Sequence, residues 1–117
     1  MIGQIVTVVV DRPLGSRHPD YPELVYPLNY GYVPGDLAGD GEEQDAYILG
    51  VEEPVQSFTG VVIAVIRRLD DVEDKWVVAP EGRSFTKEEI AEATSFQERF
   101  FHSRIETVRA TPDIGIL

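Results

Sequence analysis

Asp36, Asp40, Glu42, Glu43 and Asp45 crowd into the stretch DLAGDGEEQD, which contains no Lys or Arg. Carboxylates this close repel one another until water, protonation or a bound cation relieves them. Asp40, Glu42 and Asp45 form a D-x-E-x-x-D pattern. Gly39 and Gly41 beside it let the backbone turn tightly and aim several oxygens at one point. An all-oxygen donor set selects a hard divalent cation, Mg²⁺ first and Mn²⁺ as the alternative, and such ions commonly complete their shell with a substrate phosphate. The competing reading is a solvated acidic loop, the commoner meaning of a charge run. The spacing also matches the start of a calcium loop, but the closing Glu and flanking helices of an EF-hand are missing.

A second supply of oxygen ligands lies downstream in Asp70, Asp71, Glu73 and Asp74, followed directly by Lys75. Two acidic clusters, each at the end of an expected strand, favour a converging metal site over either cluster alone. Lys75 is a candidate phosphate contact, against the plainer expectation of a surface ion pair with Asp74 or Glu73. Arg12, Arg17 and His18 sit in a loop with no apolar reason to be ordered. Arg17 could fork onto a phosphate or simply be solvated. His18 has no visible partner, so an acid–base role is not expected of it. Tyr26 and Tyr30 each offer a hydroxyl while burying a ring, or else pack as plain core.

These groups need elements to hold them. Ile5–Val10 is rich in β-branched residues and stops before Pro13, as a first strand would. Residues 14–22 read as loop, Leu24–Tyr26 as a brief extension, and Asn29–Tyr32 as a turn. Further strands are expected over Ala46–Val51, Val61–Ile66 and Trp76–Ala79, with Asp70–Lys75 as a hairpin connection. This spacing suggests a small antiparallel barrel. Thr86-Lys87-Glu88-Glu89 is a capping box that should start a helix at about Lys87. Ser95-Phe96-Gln97-Glu98 repeats the pattern, which leaves open a break and a second helix through about Glu106. The fold class expected is therefore α+β, mainly β, with one or two C-terminal helices packed outside the barrel.

Composition bounds the rest. The 117 residues suit one domain spanning 1–117, and 43% hydrophobic with 26% charged residues is ordinary for a folded chain. A net charge of −11 argues against nucleic acid and anionic membrane surfaces as partners. An anionic substrate must then be met by local cations or by metal. The chain has no Cys, which excludes disulfides and thiolate chemistry and suits a cytoplasmic location. No spanning segment is visible in the sequence.

YPLNYGYVPG, then DGEEQD, then an acidic hairpin ending in Lys75 before WVVAP, resembles in content and order the family I soluble inorganic pyrophosphatases. The resemblance runs from about Val6 to Pro80. It implies an OB-like five-stranded barrel with Mg²⁺ in its mouth, hydrolysis of pyrophosphate to two phosphates, and assembly into a homo-oligomer. By position it implies Asp40, Asp45, one of Asp70 or Asp71, and Glu73 or Asp74 as metal ligands, with Asp11 an acidic residue near the site. It implies Glu42 as the carboxylate that helps deprotonate the attacking water, Lys75 and Tyr30 as phosphate contacts, and Tyr26 beside them. The chain departs from the family in three ways. The middle carboxylate is Glu42 rather than Asp. The hairpin that normally supplies Lys and Arg to the phosphates is missing before Tyr26, leaving Arg17 as its substitute. Phe100-Phe101 stands where a Tyr-Lys pair is expected. The alternatives are therefore a hydrolase of another diphosphate, or a barrel that binds metal or phosphate without turnover.

Overall fold

The computed structural model describes residues 1–70 and 73–107, so Asp71 lies outside the described residues. Along the chain come β1 (Ile5–Arg12), β2 (Asn29–Leu37), β3 (Glu43–Ile48), β4 (Ser57–Arg68), β5 (Asp74–Ala79), α1 (Lys87–Glu98) and β6 (Ser103–Thr107). In space the order is β1-β2-β3-β5-β4, and β4 also pairs with β1, which closes a five-stranded barrel. No sheet edge remains within that ring.

Closure depends on the length of β4. Its first half pairs with β1, Val9 opposite Ser57 and Ile5 opposite Val61. Its second half, Ala64–Arg68, passes beyond β1 and pairs with β6. β5 runs along its other edge, antiparallel, from Val61↔Ala79 to Arg67↔Asp74. The barrel is antiparallel, as expected, except at one seam where β3 and β5 are parallel with Ala46 opposite Trp76. β4 crosses from the end of β3 to the far side of that seam, so β5 returns in the direction of β3.

Both faces of the seam strands are covered, which explains their nearly unbroken apolar runs. Ala46, Ile48, Trp76 and Val78 point into the barrel with Val6, Val8, Val33, Val62 and Val65. Tyr47, Leu49 and Val77 point outward into a second layer with Ala64, Ile66 and Ile90, to which Phe85, Ala93, Phe96 and Ile105 add their rings and branches. The helix seals this outer layer. It starts as its capping box dictates, with the Glu89 N–H donating to Thr86 Oγ1 at 3.1 Å and the Thr86 N–H to Glu89 Oε1 at 2.8 Å.

Of the one or two helices expected, the described residues hold one, because Ser95 Oγ donates back to the Glu92 carbonyl at 2.9 Å instead of capping a second. The chain leaves α1 at Arg99, and residues 103–107 pair as β6 with the overhang of β4, which would otherwise be an open edge. Asn29–Tyr32 is not a turn but the start of β2. Asn29 is fully buried, with Oδ1 accepting the Leu14 N–H and Nδ2 donating to the Glu53 carbonyl, both at 2.9 Å. Gly31 is required by close approach, since a Cβ there would lie 1.9 Å from the Val9 carbonyl oxygen on β1.

Gly31→Ala is accordingly expected to cost about 3 kcal/mol or more in urea unfolding. Gly35, with φ +88 and open space around its Cβ position, should cost only about 1–2 kcal/mol as Ala. Equal costs would show that the β1–β2 contact does not need a glycine.

Candidate active site

β5 begins by burying a cation. Lys75 is 3% exposed, and its Nζ lies 2.5 Å from Asp45 Oδ2 on β3 and 2.6 Å from Glu73 Oε1, with the Tyr30 ring centroid 5.7 Å away. Burial by itself would lower the Lys75 pKa and is the largest effect, but Tyr30, Asp45 and Glu73 together outweigh it and leave the pKa raised. Lys75 therefore remains an ammonium. Tyr30 behaves oppositely. Burial pushes its pKa up against the pull of Lys75, so it remains a neutral hydroxyl beside Lys75 and Asp45.

The acidic loops converge on this pair. Asp45 stands opposite Tyr32 in the β2–β3 ladder, and the intervening loop carries Asp40, whose Oδ1 accepts the Glu42 N–H at 2.9 Å. That N–H is the main reason the Asp40 carboxyl titrates below its usual value, and Glu73 is the next, which places the two clusters side by side. Asp11, at the end of β1, is raised first by burial, while Arg12 opposes and the charge of Asp45 adds to the rise. Tyr26 is buried and donates to Gln97 Oε1 at 3.2 Å, its ring 5.7 Å from that of Tyr30.

The structure thus gathers Asp11, Tyr26, Tyr30, Asp40, Asp45, Glu73 and Lys75. Glu42 rides on the same loop, its carboxylate exposed and without a partner among the described residues. Other expected groups are engaged elsewhere. Asp70 Oδ2 accepts the His102 N–H at 3.3 Å. Asp74 pairs with Arg67 at 2.6 Å, and Arg67 reaches Glu106 at 2.8 Å on the β6 side. Arg17 Nη1 donates to the Pro22 carbonyl at 2.8 Å and braces its own loop. His18 Nδ1 accepts the Asp20 N–H at 3.0 Å, also within that loop.

Sequence reasoning missed the buried group beside the site. Arg68 forks onto Glu98 at 2.7 and 3.2 Å, and the two side chains are 5% and 7% exposed. Tyr47 donates to Glu98 Oε2 at 2.6 Å, Gln97 donates to the Tyr47 oxygen at 2.9 Å, and the Arg68 guanidinium lies 3.7 Å over the Phe101 ring. Arg68 also stands 3.7 Å from Glu73 Oε1. The helix end carrying Phe101 is therefore tied to the second acidic loop by an arginine. No local signal pairs residues from β4 and α1.

Among the described residues no three acidic, His or Cys side chains converge as a metal cluster. The donor chemistry nevertheless suits a hard cation: every candidate donor is a carboxylate oxygen, with Asp40 beside Glu73 and the charge of Asp45 felt at Asp11. A groove of about 480 Å³ between the barrel and α1, lined by Leu28, Leu49, Phe85 and Ala93 among others, includes none of these residues.

A closed barrel whose rim gathers carboxylates, tyrosines and one buried lysine is an OB-like barrel with an acidic site. A family model described as inorganic pyrophosphatase matches residues 7–106, and the chain belongs to that family. It is similar to an inorganic pyrophosphatase of Aeropyrum pernix, 34% identical over 80 residues that make up 65% of this chain and 42% of that one. An inorganic pyrophosphatase of Neisseria meningitidis is 36% identical over 100 residues, 67% of this chain and 55% of the other. The chain spans about half the length of the curated relatives it matches. Among solved structures, the inorganic pyrophosphatase of Ehrlichia chaffeensis shares the fold at 15% identity with a TM-score of 0.69, covering 92% of this chain and 88% of its own. That of Neisseria gonorrhoeae does so at 23% identity and a TM-score of 0.62, over 80% and 72% of the two chains.

Removing one partner of a buried ion pair strands the other charge, so Arg68→Met and Glu98→Gln should each destabilise by about 3–5 kcal/mol. The double variant, which buries no unpaired charge, should recover at least half of the single losses. A single-variant cost under about 1 kcal/mol would show that the pair does not hold α1 to the barrel.

Proposed function

We propose that this chain hydrolyses inorganic pyrophosphate to two phosphates with the help of a divalent cation, Mg²⁺ in the first instance. The observation that carries the reading is the buried ammonium of Lys75, held by Asp45 and Glu73 beside the neutral Tyr30 hydroxyl, with Asp40 also feeling its charge. Asp40, Asp45, Glu73 and Asp11 would hold the cation, and Asp70 and Asp71 remain proposed ligands on family order alone. When bound, the ion would neutralise phosphate oxygens and acidify water.

The protein's own groups act as follows. Lys75 shares its protons with non-bridging phosphate oxygens, and Tyr30 donates a further hydrogen bond to them. Glu42, exposed on its loop, takes the proton of the attacking water. Attack in line forms one phosphorus–oxygen bond as the bridging bond breaks, and the second phosphate leaves with the bridging oxygen. Lys75 stabilises the charge that builds on it.

A cytoplasmic location is proposed from the absence of Cys, and among the described residues no helix is long and apolar enough to cross a membrane. A homo-oligomer is also proposed. Leu69 and Phe100, 64% and 66% exposed, offer apolar surface for it, and light scattering would read its size.

Purified protein with Mg²⁺ should release phosphate from pyrophosphate, lose that activity when the cation is chelated, and regain it on adding Mg²⁺ or Mn²⁺. Asp45→Asn should lower kcat by about 10²-fold or more, and Glu42→Gln should also abolish most turnover. No release above a metal-only blank would sink the reading. Release from nucleotide or organic diphosphates alone would redirect it to those substrates.

A further inference from the structure

β1 ends in a bulge. Val10 pairs with Gly31 and Arg12 with Tyr30, so Asp11 and Arg12 together oppose one residue of β2. A bulge of this kind re-aims the side chains it carries. Asp11 Oδ2 and Arg12 Nη1 consequently lie 3.9 Å apart, whereas successive residues of a regular strand point to opposite faces. The Tyr26 hydroxyl feels the charge of Arg12, together with those of Asp11 and Lys75.

The hydrogen bonds of Arg12 are incomplete. Its Nε is buried and has no partner, and among the described residues the other buried side-chain polar atom in that condition is Ser16 Oγ. Ser16 is on the excursion that leads back to Tyr26, and its carbonyl accepts the Tyr26 N–H at 2.8 Å. The other arginines of this region contrast with it: Arg68 forks onto Glu98, Arg67 bridges Asp74 and Glu106, and Arg17 is engaged with the Pro22 carbonyl. Arg12 has one carboxylate at the edge of ion-pair distance. A guanidinium is always charged and carries five donors in a planar fork that matches phosphate oxygens. The chain carries a net charge of −11, and Lys75 already meets two carboxylates, so an incoming polyanion needs a cation with donors to spare.

We infer that Arg12 is a phosphate-binding residue of this site, its guanidinium taking phosphoryl oxygens beside Tyr26 and so filling the role that the sequence suggested for Arg17. The inference rests on the pyrophosphate reading, which it completes on the side away from the acidic loops. Its substrate class is a diphosphate or phosphate anion.

The test is calorimetric titration of imidodiphosphate, a pyrophosphate analogue, into the Mg²⁺-loaded wild type, Arg12→Met and Arg12→Lys, with phosphate release and thermal melts measured in parallel. Loss of a charge-assisted fork should weaken imidodiphosphate binding about ten- to a hundredfold in Arg12→Met and raise KM for pyrophosphate in step. Arg12→Lys should fall between that variant and wild type. A merely structural arginine would lower the melting temperature and leave affinity alone, and that outcome overturns the inference. If Arg12→Met does not fold, Arg12→Lys decides, an affinity equal to wild type counting against. A wild type that binds imidodiphosphate through Arg12 without releasing phosphate would keep this inference and remove the hydrolytic one. A wild type that binds neither imidodiphosphate nor inorganic phosphate would overturn both.

Discussion

Everything at the rim of this barrel depends on keeping one ammonium charged below the surface. Lys75 has its Nζ between Asp45 and Glu73, and the penalty for taking its charge out of water is offset only because two loops bring those carboxylates to it. The loop between β2 and β3 and the turn between β4 and β5 must therefore face each other. β5 can hold that position because Trp76, Val77, Val78 and Ala79 are all buried, on one face in the barrel and on the other beneath α1. The apolar strand is the anchor, and the charged residue at its head is what it presents.

Acidity at this rim exceeds what Lys75 can neutralise. The charge of Asp45 adds to the rise of the Asp11 carboxyl, while Asp40 and Glu73 share a hydrogen bond across the two acidic loops. The Arg68–Glu98 pair sits just behind, fully hydrogen-bonded through Tyr47 and Gln97. It joins β4, β3 and α1 at the point where the second acidic loop departs, so helix docking and loop position are one structural problem. The Phe101 ring under the guanidinium completes that corner.

Much of the local structure could be read from residue order. The capping box at Thr86, the β-branched run of β1 and the apolar strands before Pro80 all behaved as propensity and pattern require. The misreadings share a cause. Asn29-Tyr30-Gly31-Tyr32 carries the residue types of a turn, yet Gly31 is there for the backbone of β1, and Asn29 for two loops remote in sequence. Ser95 resembles an N-cap, yet the chain beyond is claimed by the exposed edge of β4. In each case the deciding partner lies tens of residues away, where no window of local sequence can see it.

The sequence by itself determined the chemistry available: carboxylate oxygens in two clusters, hydroxyls at Tyr26 and Tyr30, a lysine ahead of an apolar strand, and no thiols. It also carried the family order that joins them. Tertiary structure alone decided which of these groups meet. Asp74 pairs with Arg67, whereas Glu73 meets Lys75. The bulge in β1 brings the Arg12 and Asp11 side chains together, while Arg17 stays with its own loop. The Tyr26–Asp45 stretch is acidic in any conformation. Only the approach of β5 gives it a buried positive charge to face, with Asp45 against Lys75.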